Sequence, residues 1–222
     1  APFVGAGRPL MNNYVPVLQH PWFYVGIGVL ACAMVLAAGT YLHDMTLLRP
    51  TNEIDLVRCA LAVAAVSAIV VVLCVMWAFW RMPPALSGQF YFESLFWGGG
   101  HVLQFTNTVL VLLAWLLLAW ASGCSVALSP RVGTWLFILT AVPLVAVPWL
   151  YAEGVASEAG RRGFTQLMRW GGLAALPLGL VLLAALFGRR RGSIATKPLR
   201  TTLLCSMSLF AAGGFIGFLI KG

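Results

Sequence analysis

His101 is the residue of this chain best placed to do chemistry, because it lies inside a long apolar stretch with about ten helical residues on either side. An ionisable group at membrane depth is costly to keep, so by default it marks a functional site. On a helix its neighbours at three, four and seven residues are Ser94, Trp97, Gly98, Gln104, Phe105 and Thr108. They form a mildly polar stripe, with Ser94, Gln104 and Thr108 expected to face the bundle interior beside His101. Such an imidazole is either a metal ligand or a hydrogen-bonded packing residue, and the helix alone does not separate the two. Glu93, near the outer end of the same stretch, reads as an interfacial acid before a proton carrier. His20 and His43 fall at span ends, where solvated and haem-edge roles look alike. Cys32, Cys59, Cys74, Cys124 and Cys205 show no CxxC or CxxH spacing and read as reduced packing residues.

The elements that must hold these groups follow from composition. Of 222 residues, 61% are hydrophobic and 9% charged, whereas a soluble domain has roughly 45–50% and about 25%. That much apolar surface needs lipid, and a helix crosses the hydrocarbon with about 20 apolar residues. The net charge of +8 does not point to nucleic acid, because the basic residues sit in gaps between apolar runs and not on one face. The expected fold is all-α, a single membrane domain over residues 1–222 with six transmembrane helices.

The breakers set the spans. A polar lead, 1–19, ends at His20-Pro21, where proline suits a first helical turn. Spans are expected near 21–43, 57–80, 90–121, 133–151, 167–187 and 202–220. Pro83-Pro84 ends the second, and Pro143 and Pro148 predict a kinked fourth span packed inside the bundle. The segment 152–166, charged and glycine-containing, reads as a loop. The chain opens on Ala1 with neither Met nor a signal pattern, so its start is either processed or internal to a longer product.

Six spans put both ends on one side. Arg8, Arg81, Arg161, Arg162, Arg169 and Lys221 share that side; Arg49, Arg58, Arg131, Arg189, Arg190, Arg191, Lys197 and Arg200 share the other. Five of the latter crowd the short loop 189–200, which the positive-inside rule assigns to the cytoplasm, leaving both ends outside.

The run Phe96-Trp97-Gly98-Gly99-Gly100-His101-Val102-Leu103-Gln104-Phe105 resembles the sixth core helix of subunit I of the haem-copper oxidase and nitric oxide reductase superfamily. There an aromatic-Trp-x-x-Gly-His segment gives a histidine to the active-site copper. Gly213-Gly214-Phe215-Ile216-Gly217 is similar to the Gly-Gly-x-x-Gly of the ninth core helix, and Phe164-Thr165-Gln166-Leu167-Met168-Arg169-Trp170 fits the ordering between them. The resemblance implies core helices four to nine of a divergent member. By the same resemblance it belongs to a respiratory or redox complex of a bacterial-type inner or plasma membrane, in contact with lipid and other membrane subunits.

The departures bear on catalysis. Where the oxidases have Pro-Glu-Val-Tyr after the histidine, this chain has Val102, Leu103, Gln104 and Phe105, and its fourth span has no His-His pair. Three histidines cannot furnish the six or so imidazoles of a two-haem, one-copper enzyme. Haem and copper therefore require ligands outside these residues, and His101 alone is no complete metal site. Two further readings stand beside the redox subunit: a scaffold or quinone- or lipid-binding subunit, and a small-solute transporter with proline-broken spans.

Overall fold

Lengths of apolar sequence and the residues that interrupt them account for the architecture. The computed structural model describes residues 7–43, 50–188 and 197–219. Arg49, Arg189, Arg190 and Arg191 of the charge argument, and Lys221, lie outside the described residues, as does the side chain of His43. Helix α1 covers Pro21–His43, α2 Glu53–Arg81 and α3 Gly88–Ala121. A broken fourth span follows, α4 (Pro130–Ala141) and α5 (Val147–Ala152), and a broken fifth, α6 (Glu158–Gly171) and α7 (Leu176–Phe187), before α8 (Lys197–Leu219). Six of these runs are long and apolar enough to cross a bilayer. The fold is an α-helical membrane bundle.

Side chains that satisfy orphan amides fix the starts. Asn52 accepts from the Asp55 amide at 2.9 Å, Ser129 from Val132 at 3.3 Å and Ser157 from Gly160 at 3.0 Å. Arg200 reaches back to the Leu186 carbonyl at 2.9 Å, the end of α7. The breaks have equally local causes. Pro143 and Pro177 each lack an N–H and clash with the carbonyl four residues earlier, so Val142–Ala146 and Gly172–Ala175 tighten into 3₁₀ turns. Pro143 of the first turn comes close to Gly171, the last residue of α6, where a side chain would collide with Pro143 and Phe105.

Two expectations change. The segment 152–166 is not a loop throughout: α6 begins at Glu158, capped by Ser157. Its charges lie on one side of an amphipathic helix that buries Gly160 and Phe164, so polarity was a misleading sign of irregular chain. The polar lead holds an antiparallel hairpin, β1 (Arg8–Leu10) with β2 (Val17–Gln19), registered Arg8 to Gln19 and Leu10 to Val17.

The interior has two parts. Around the far half of α3, Leu56, Leu112, Leu116, Phe137, Leu178, Leu182 and Leu203 form an apolar core with Trp115. Around its near half, Val102, Phe105, Leu144, Val147 and Phe164 pack with Trp97 and Tyr151. Among the described side chains, only Ala38 of α1 is buried, and only Leu203 and Met207 of α8.

Candidate functional site

Three consecutive glycines make the site possible. Successive residues on a helix point about 100° apart, so Gly98, Gly99 and Gly100 open three directions at one level of α3. A Cβ on Gly98 would strike the Tyr151 hydroxyl and the Phe164 ring; one on Gly99 would press on Val75 and the Val71 carbonyl; one on Gly100 would enter the Tyr14 ring. The bare backbone lets α5 and α6, α2 and the hairpin tip converge on the turn that carries His101.

His101 is 3% exposed and lies nearer the start of α3 than its end. Its Nδ1 is 2.8 Å from the Trp97 carbonyl oxygen, and the Tyr14 hydroxyl is 2.9 Å from Nδ1 and 3.2 Å from Nε2. One arrangement satisfies all the groups: Nδ1–H donates to the Trp97 carbonyl, and Nε2 accepts from Tyr14. Burial pushes the Tyr14 phenol well above its ordinary value, so it stays a donor.

Tyr14 is delivered by a turn built on Asn12. The Asn12 side-chain oxygen accepts from the amides of Tyr14 at 3.3 Å and Val15 at 3.1 Å, and its amide group donates to the Val15 carbonyl at 2.6 Å. This closed Asx turn projects the ring away from the strands. Above it a second layer is ionic. Arg161 of α6 donates to Glu93 at 3.1 Å, and Asn13 donates to the same oxygen at 2.8 Å. The Arg161 guanidinium also lies 4.4 Å from the Trp97 ring centre and 5.4 Å from that of Phe90, while Trp97 Nε1 donates to the Arg161 carbonyl at 3.1 Å.

Of the residues picked out by sequence, Ser94 and His101 are buried, whereas Gln104 and Thr108 are half-buried, with Thr108 donating to the Gln104 carbonyl at 2.8 Å. The buried Ser94 hydroxyl has no hydrogen-bond partner among the described residues. Polar company for His101 comes from the hairpin and from its own helix. Glu93 is half-buried and paired. His20 accepts from the Trp22 amide at 3.3 Å at the start of α1. Tyr14, Asn13 and Arg161 were not expected here; the one available signal was that a lone acid at the membrane edge calls for a cation.

Among the described residues no group of three His, Cys, Asp or Glu side chains comes close enough to hold a metal. Both His101 nitrogens face partners, so these residues do not fit a copper ion. What the arrangement does within the chain is hold a phenol, with the Tyr14 hydroxyl against the His101 imidazole.

No family model and no solved structure matches the chain. An uncharacterized protein of Aquifex aeolicus is 26% identical over 98% of this chain and 53% of its own length. An uncharacterized protein of Rickettsia prowazekii is 25% identical over 95% of this chain and 47% of its own. The chain thus spans about half the length of the curated relatives it matches.

Proposed function

We propose that this chain is the helical membrane part of a redox subunit similar to subunit I of the haem-copper oxidases, working with other membrane subunits. The observation that carries the reading is an interior imidazole, His101, on a glycine-packed helix bearing Trp97-Gly98-Gly99-Gly100-His101. The described residues form no copper site. Haem and copper would have to be held by ligands outside these residues. The test is a reduced-minus-oxidised visible spectrum of the assembly purified from native membranes with the full-length protein. Haem bands in proportion to the subunit are expected; an assembly without them overturns the reading.

On this reading the hairpin and both ends face outward, and the basic segment 189–200, whose last four residues open α8, faces the cytoplasm. A cysteine replacing Ser193 in an otherwise cysteine-free protein should resist an impermeant thiol reagent in intact cells. Ready labelling would reverse the topology.

A second reading, a quinone- or lipid-binding scaffold, is favoured by a groove of about 1030 Å³ between α1, α2 and α3. Tyr24 and Phe92 stack in its wall at 6.2 Å between ring centres, with Trp77, Trp80, Tyr91 and Phe96 around them. Aromatic walls suit a flat or chain-like apolar guest. Organic extraction of the purified protein should release a stoichiometric quinone or lipid. The transporter reading gains nothing, since Glu93 is neutralised by Arg161.

A further inference from the structure

Tyr14 occupies a slot whose walls belong to other parts of the chain. Gly100 gives it a floor without a Cβ, Trp97 meets it edge-on at 6.0 Å and 84°, and the His101 ring lies 5.2 Å away. Phe164 of α6 backs the imidazole at 6.1 Å. These walls stand on α3 and α6, inside the bundle. The ring that fills them does not: it sits on a hairpin tip whose outer bond, Asn13 to Glu93, is exposed. Met11, Asn13 and Pro16 around it are exposed as well.

The geometry points to a binding site for a phenolic or hydroquinone head group, with Tyr14 as the chain's own occupant that an incoming ligand displaces. The chemistry of recognition is specific. With Nδ1–H held by the Trp97 carbonyl, Nε2 is a buried acceptor that a guest must satisfy with a donor. A hydroquinone has that hydroxyl, and an oxidised quinone has only carbonyl acceptors. A flat six-membered ring meets Trp97 and the His101 imidazole as Tyr14 does, and Gly100 admits it close to the helix backbone. The proposal deepens the second reading above: it relies on that reading for a ligand arriving from the membrane, but not for the slot itself.

Diethyl pyrocarbonate, which modifies unprotonated imidazole, reads the slot directly in the full-length protein, with His20 as internal standard and peptide mass spectrometry as readout. In the natural sequence His101 should react slowly beside His20. In Tyr14→Ala it should react about tenfold faster, and p-cresol, the tyrosine side chain as a free molecule, should restore protection without slowing His20. Toluene, lacking the hydroxyl, should need about tenfold higher concentration, because it leaves Nε2 unpaired. Should Tyr14→Ala fail to fold, Asn12→Ala loosens the turn and keeps the ring; the same order of p-cresol over toluene is expected on a smaller rise. Equal protection by toluene and p-cresol would reduce the slot to an apolar hole, and a His101 as reactive as His20 in the natural sequence would show no occupant to displace. Either result overturns the proposal. A short-chain hydroquinone that fails where p-cresol succeeds removes the quinone reading and leaves the phenol site standing.

Discussion

The two halves of α3 are held by different physics. From Leu112 to Ala119 it presents mainly leucines and alanine to Leu56, Phe137, Leu178, Leu182 and Leu203, with Trp115 adding one directed bond, its indole N–H to the Ser206 hydroxyl at 2.9 Å. From Phe90 to His101 it presents glycines and rings to named partners: Tyr151, Val71, Tyr14 and Arg161. In lipid, burying leucine against leucine gains little over leucine against acyl chains; close fit and internal polar bonds decide which helices associate. The far half supplies mostly fit, with a single indole bond for direction. The near half supplies direction, since a hydroxyl or a guanidinium is satisfied in one place only.

The largest effect should come from the far half. Phe137→Ala empties a fully buried aromatic site and should cost about 3–5 kcal/mol in reversible unfolding from mixed micelles. In the near half, Gly98→Leu forces Tyr151 and Phe164 aside and should cost about 1–3 kcal/mol. A cost for Gly98→Leu above that for Phe137→Ala would invert the comparison and make the near half the stability core. Arg161→Met should cost about 1 kcal/mol, since Arg161 and Glu93 are 25% and 17% exposed and solvent screens part of the pair. A double-mutant cycle with Glu93→Gln should assign most of that loss to the pair.

The smallest effect is confined to the hairpin and depends on pH. The phenol of Tyr14 has a folded value raised above its unfolded one, so its contribution is complete below about pH 10 and is lost as pH rises beyond. Alkali should therefore release the hairpin tip, read as proteolysis near Met11, before helicity declines. Simultaneous loss of both would show that the tip and bundle form one cooperative unit.

What could be read in the sequence was what depends on length and on breakers. Spans appear where about 20 apolar residues occur, and Pro83-Pro84, Pro143 and Pro148 interrupt helices for reasons one residue wide. The interior position of His101 was legible from its surroundings in the chain. The start of α6 was not, because Arg161 and Arg162 look like loop until the opposite face, with Gly160 and Phe164, is seen to be covered. The hairpin was not, because its strands are three residues each and its turn depends on one Asn12 side chain. Least legible was the Tyr14 contact, which spans 87 positions and leaves no periodic trace.

That separation has a consequence for the order of assembly. The hairpin leaves the ribosome before any of the surfaces it rests on. Its ring has no floor until Gly100 is in the membrane, and the imidazole it meets has no backing until Phe164 follows. Trp97, the side wall, is itself tied to Arg161, 64 residues later. Contacts that close long loops form late, because the entropy of closure comes due before the contact repays it. The earliest of the described segments to be synthesised is therefore the last to be seated, and its docking reports that α3 and α6 have already met.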